Sequence, residues 1–143
     1  MPISPFTPKF EDLPESIPVF PLAGVLLLPR GTLPLNIFEI RYLNMVSDAL
    51  RAPGRFIGMI QPTGSEDADS LDEPGHSGPN LFPTGCAGRL ISFSETGDGR
   101  FLITLNGVIR FDIAEELSKE RGYRRVRADF SKYAADMDEA HPV

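Results

Sequence analysis

Apolar residues crowd the chain from Ile17 onward, but proline keeps interrupting them. IPVFPLAGVLLLPRGTLPLNIF is dense in Pro and Gly and rich in β-branched or aromatic residues. Pro18, Pro21, Pro29 and Pro34 would break a helix at every turn, so short strands divided by bends are predicted over 17–20, 25–28 and 33–37. The period then changes. Ile40, Leu43, Val46, Ala49 and Leu50 recur at three- and four-residue spacing, with Arg41, Asn44, Ser47, Asp48 and Arg51 opposite them, which predicts an amphipathic helix. Asn36 and Glu39 have the spacing of a capping box, and Pro53-Gly54 stops the helix. RFIGMIQ, 55–61, reads as a buried strand.

Farther on the period is two. Phe101, Ile103, Leu105, Ile109, Phe111 and Ile113 hold one alternating register, with Gly107 in phase, where a missing side chain permits a bend or close packing. Asp98-Gly99 predicts a two-residue hairpin turn pairing this strand with 86–95. Residues 115–120 read as a short helical or turn segment, and 123–133 as a last strand. The sum is an α+β, mainly β fold: a strongly bent, mostly antiparallel sheet with one main helix. A small, partly open barrel buries such a sheet most economically.

Two stretches fall outside the pattern. Residues 1–16 hold four prolines among polar residues and are expected to form an extended arm. Between about 62 and 80 lie Glu66, Asp67, Asp69, Asp72 and Glu73 without a basic residue, an expected mobile, solvated loop. Its acids lack the ligand order and central Gly of a calcium loop. The domain is expected over 17–133, with 134–143 a tail that begins a C-terminal helical region.

At 143 residues the chain has room for one compact core. Its 14 Pro and 13 Gly argue against a helical bundle. Fourteen basic against twenty acidic residues give a formal charge of −6, which speaks against simple phosphate recognition. No stretch approaches the roughly 18 apolar residues that span a bilayer, and the N-terminus has no basic–apolar signal, so a cytoplasmic protein without membrane contact is expected.

Candidate chemistry is sparse. No nucleotide-binding loop, nucleophile elbow or His-Glu-x-x-His motif is present in the sequence. One Cys and two His exclude a multi-cysteine zinc site, and no cofactor or metal is expected. Cys86, between Gly85 and Ala87, reads as a buried structural thiol; His76 and His141 lie where catalytic geometry is hard to hold. Arg89 and Arg110 interrupt apolar strands, and Glu39 and Arg41 flank the helix start. These four are expected to form structural ion pairs, with Glu39 bonded to Arg110 or Arg89 and Phe38 and Ile40 facing the barrel. Arg121, Arg124, Arg125 and Arg127 make the one basic cluster, read as a solvated strand face.

Several blocks carry a family resemblance. Pro18 to Leu22 (PVFPL), Leu33 to Tyr42 (LPLNIFEIRY), Gly85 to Arg89 (GCAGR), Leu105 to Phe111 (LNGVIRF) and Tyr123-Arg124 resemble, in order, the Lon substrate-binding domain family. The resemblance implies a PUA-like pseudobarrel of about six strands around one helix. The FEIRY and GCAGR blocks resemble more closely the short stand-alone type, and no ATPase or protease motif of full-length Lon is present in this sequence, so Lon's catalytic function is not implied. The implied function is non-catalytic recognition of unfolded or exposed hydrophobic polypeptide, with unfolded or partly folded chains as partners and a protease or chaperone assembly as context.

Leu26, Leu27, Leu28, Pro29, Leu81 and Phe82 lie in Pro-bounded apolar segments and are the candidate peptide-binding residues. They would form an apolar groove, or else close the barrel ends or meet further helices; a peptide could also add as a strand at an open sheet edge. The alternatives are an RNA-binding PUA-like module, disfavoured by charge, and an adaptor with one specific partner.

Overall fold

The computed structural model describes residues 9–64 and 79–138. Its strands are β1 (Ser16–Pro21), β2 (Thr32–Ile37), β3 (Phe56–Ile60), β4 (Thr84–Glu95), β5 (Phe101–Glu120) and β6 (Tyr123–Asp129), with one helix, α1 (Ile40–Arg51). The sheet order is β2-β5-β4-β3-β1-β6, and β5 also pairs with β6. That last pairing closes β5, β4, β3, β1 and β6 into a barrel and leaves β2 as an added strand on the first half of β5. All pairings are antiparallel except β1 with β3. The mainly β, single-helix barrel expected from the pattern is thus observed.

β5 makes the closure possible by its length. Its 20 residues serve β2 at the start and β6 at the end, with β4 running alongside. A strand this long must bend to serve two partners, and the register shifts in its ladders with β4 and β6 supply the bends. The helical or turn segment expected at 115–120 is therefore strand. Its charges, three of them paired with arginines of β6, had masked the alternation.

Two packed clusters lie on opposite faces of β3. Ile57 and Met59 join the cluster under α1, with Met45, Val46 and Ala49, while Phe56 and Ile60 join Ile109, Phe111 and Val126. Both faces of β3 are covered, so all five of its residues are buried. Burying a side chain of this size is worth about 1.5–3 kcal/mol.

The segment 25–28 is not a strand. It crosses over β5 at Gly107, whose N–H donates to Gly31 O at 2.8 Å while its carbonyl accepts from Arg30 N at 2.8 Å. A Cβ on Gly107 would run into the Leu28 backbone carbonyl, which is why no side chain stands there. Leu27 fills the space this opens and is buried.

The two hairpins also differ from expectation. Asp98-Gly99 sits in a longer turn: Gly99 N donates to Thr96 O, Thr96 N to Arg100 O, and Gly99 alone has positive φ, 85°. The two-residue turn is Arg121-Gly122 between β5 and β6, with φ of 47° and 96°. Arg121 holds this left-handed conformation through hydrogen bonds to helix α1, where Nη2 donates to Asn44 Oδ1 at 2.9 Å and Asn44 Nδ2 donates to Arg121 O at 3.1 Å. The hairpin tip is thereby clamped to the helix.

At its start α1 has Glu39 as N-cap without a side-chain cap bond, so the expected Asn36–Glu39 capping box does not form; Asn36 lies in β2 opposite Leu102. At the C-terminal side β6 ends at Asp129, and Ser131–Met137 forms a 3-10 helix packed on β5 with Asp136 buried. The packed part therefore runs past the boundary expected at 133. Most of the acidic segment expected to be a loop, and the first half of the N-terminal arm, lie outside the described residues.

Candidate functional site

Helix α1 enters the fold against the ends of β1 and β2, and the clamped β5–β6 hairpin rises beside it. Between them lies a cavity of about 330 Å³, within the usual size range of a binding pocket. Its floor is apolar: Phe20 and Leu22 from β1 and the residue after it, Leu35 and Ile37 from β2, and Tyr42 from α1. Phe20 and Tyr42 stack at 4.3 Å between ring centres.

The lip is more unusual. Phe38 lines the cavity at 65% exposure, and its neighbour Ile40 is 76% exposed. The helical spacing had predicted that both face the barrel. Ile40 instead begins the helix, where the inward face is set by Met45, Val46 and Ala49. Polar groups converge at the same place. The Tyr42 hydroxyl has no hydrogen-bond partner among the described residues, and burial pushes its pKa up against the opposing pull of Arg41. The wall carries Glu39, Arg41, Lys119 and Arg124.

A second cleft, about 600 Å³, lies between the approach to β1 and the end of α1. It is larger, but its polar groups serve one another: Tyr123 Oη donates to Asp48 at 2.8 Å and Arg125 to Ser16 Oγ at 3.3 Å. The first cavity has the better claim because its lining combines an exposed aromatic residue, Phe38, with the Tyr42 hydroxyl, which has no hydrogen-bond partner among the described residues.

The six candidate peptide-binding residues do not line one surface. Leu26, Leu28 and Phe82 are exposed, Leu81 is half-buried, and Leu27 and Pro29 are buried. Leu26, Leu27 and Leu28 border a small hollow of about 140 Å³ with Cys86 and Arg110, which Leu81 and Phe82 do not reach. The crossing over Gly107 draws Leu27 inward, so the run of three leucines is split between core and surface. At the free edge β2 carries Pro34, which lacks an N–H and blunts strand addition there.

The ion pairs also differ from the expected set. Glu39 bonds its near neighbour Arg41 at 2.9 Å, both half-exposed. Its outward-facing turn keeps it from Arg110 and Arg89. Arg110 pairs instead with Asp136 of the terminal 3-10 helix: Nη2 to Oδ1 is 2.7 Å, Nε to Oδ2 is 2.9 Å, and the backbone N–H adds a third bond at 3.1 Å. Arg110 also stacks over Tyr133 at 4.8 Å. Sequence reasoning had placed Asp136 in the tail; no local periodicity marks it. Arg89 is half-buried on β4 between Phe56 of β3 and Asn106 of β5.

The basic cluster is an internally paired set. Arg124 is buried and bidentate to Glu116 at 2.7 and 2.9 Å, with a third bond to Pro79 O at 2.8 Å. Arg121 pairs with Asp48, Arg127 with Glu115 at 2.9 Å, and Arg125 with Glu120 at 3.7 Å. Cys86 is buried, and desolvation pushes its thiol up to about 12, helped by the negative charge of Asp136. A thiol held that far above neutrality is not a nucleophile.

Comparison with known proteins bears on what this barrel is for. Lon protease 2 of Myxococcus xanthus is 28% identical over 119 residues, covering 83% of this chain. Lon protease of Flavobacterium johnsoniae is 29% identical over 110 residues, covering 77%. In both cases the chain spans 13% of the relative's length. The crystal structure of a Lon N-terminal domain protein from Xanthomonas campestris superposes with a TM-score of 0.60 at 27% identity, covering 80% of this chain and 59% of that one. The N-terminal domain of Mycobacterium avium complex Lon protease, at 12% identity and a TM-score of 0.61, shares the fold over 90% of this chain and 57% of that one. Residues 16–141 match the profile of the ATP-dependent protease La (LON) substrate-binding domain, and the match does not extend to an ATPase or protease domain. The chain belongs to the Lon substrate-binding domain family.

Proposed function

We propose that this domain recognises polypeptide without catalysing a reaction, taking unfolded or exposed hydrophobic segments into the cavity at the start of α1. One observation carries the reading: Phe38, a large apolar residue, stands exposed on the lining of an aromatic-floored cavity, with the exposed Ile40 two residues on. Leaving such residues in water forgoes their burial energy, and exposed apolar residues beside a cavity of this kind mark an interaction site. The cavity is too small for a folded domain and suits side chains projecting from an extended segment. The family's name supplies the substrate class, and a Lon-type protease is the context in which recognition would lead to degradation.

Fluorescence anisotropy with a labelled, permanently unfolded polypeptide, and with the same protein folded, tests the reading. The unfolded probe is expected to bind and the folded one not. Phe38→Ser is expected to weaken binding about tenfold, the scale of an aromatic interface anchor. Its stability should change little, since Phe38 is mostly exposed. Equal binding of both probes, or an unaltered affinity in Phe38→Ser, would overturn it.

A further inference from the structure

The cavity wall is electrically unlike the rest of the chain. The sequence carries a formal charge of −6, yet the charged residues lining the cavity are three cations, Arg41, Lys119 and Arg124, and one anion, Glu39. Two of these cations are committed. Arg41 is paired with Glu39, and Arg124 is held by Glu116 from outside the lining. Lys119 is exposed near the end of β5 and has no acidic partner among the described residues. Counting Glu116 with the lining, three positive charges face two negative ones, and the surplus is Lys119.

The Tyr42 hydroxyl adds a donor in the same wall. A phenol over an aromatic floor can give its proton to a carboxylate while its ring packs against an apolar side chain. A phenol keeps its proton at neutral pH, and burial of this ring raises it further above its ordinary value. The wall therefore offers an ammonium and a hydroxyl donor, both suited to a carboxylate.

Resting on the reading that this cavity takes polypeptide, we propose that it selects segments in which a large apolar residue is flanked by Asp or Glu side chains. The apolar side chain enters between Phe20, Tyr42 and Phe38, and the flanking carboxylate meets Lys119 and the Tyr42 hydroxyl. A basic flank would meet Lys119 with like charge and leave the hydroxyl proton without an acceptor. Selectivity arises at the rim, while apolar burial supplies most of the affinity.

Three short, C-terminally amidated, fluorescein-labelled peptides test this on the full chain. One has a central Leu-Phe pair flanked by Asp and Glu. The second has the same pair flanked by Lys, and the third has acidic flanks with Ser in place of Leu-Phe. The acidic–apolar peptide is expected to bind about fivefold more tightly than the basic one at low salt, the size of one or two exposed charge contacts. The serine peptide should not bind measurably. Lys119→Glu, which alters an exposed side chain, should abolish or reverse the preference while apolar binding persists, and added salt should narrow it. Circular dichroism confirms that the variant is folded. Equal affinity for acidic and basic flanks, or a preference that Lys119→Glu leaves intact, overturns the selectivity alone. Failure of both Leu-Phe peptides to bind removes the recognition reading as well, and tight binding of the serine peptide replaces it with plain charge attraction.

Discussion

Asp136 and Glu39 are both carboxylates bonded to arginine, yet their surroundings give them different weight. The Asp136 side chain is 4% exposed and accepts two bonds from the Arg110 side chain and one from its backbone N–H. Removing it strands a backbone donor and half of an ion pair. Arg110 itself is 46% exposed, so water softens the loss relative to a fully buried pair. Asp136→Ala is expected to cost about 2–3 kcal/mol in urea denaturation. Glu39 and Arg41 are 45% and 53% exposed, and Glu39→Gln should change stability by less than about 0.5 kcal/mol. The sequence alone pointed the other way: Glu39 and Asp136 each stand between two apolar residues, but Glu39 opens a helix of clear period while Asp136 falls beyond the last strand expected. Which of the two is buried depends on where the chain returns after β6, and no local period encodes that.

Elements were legible where one period governs them. The bounds of α1, the buried strand β3 and the alternation of β5 follow from three- to four-residue or two-residue spacing, because each buries a continuous face. Legibility failed where a contact far along the chain decides the conformation. The apolar run Val25, Leu26, Leu27 and Leu28 reads as strand, but its path is shaped by crossing Gly107. Arg121 takes a left-handed turn position because Asn44 and Asp48 receive its guanidinium, not because arginine favours it. The cavity was missed for the same reason: the wall comes from β1, β2, α1 and the β5–β6 hairpin, and the family blocks named its residues without showing that they meet. Gly107→Ala tests the crossing directly. Its Cβ would meet the Leu28 backbone carbonyl, which cannot yield as a side-chain tip could. The expected loss is about 3 kcal/mol, the upper end for overpacking, read from the thermal or urea midpoint. Gly97→Ala, with nothing near its Cβ, serves as the control and should be nearly neutral.

At the scale of the whole molecule, the arrangement of charge separates the proposed polypeptide recognition from the RNA-binding alternative that the sequence resemblance raised. Affinity for a phosphate backbone comes from cations free to displace counterions, and it falls steeply with salt. Arg121, Arg124, Arg125 and Arg127 would be the natural contributors, since they cluster on and beside β6. Each already faces a carboxylate of this chain, Asp48, Glu116, Glu120 or Glu115, and Arg124 is also buried. Recruiting them would mean breaking those pairs in a molecule whose formal charge of −6 repels the strand it approaches. Single-stranded RNA is therefore expected to bind more weakly than about 0.1 mM at physiological salt, no better than non-specific association. Filter binding or anisotropy across a salt series checks this, with the unfolded polypeptide probe measured beside it. A steep salt slope, abolished by Arg125→Ala or Arg127→Ala, would move the functional surface from the apolar cavity to β6.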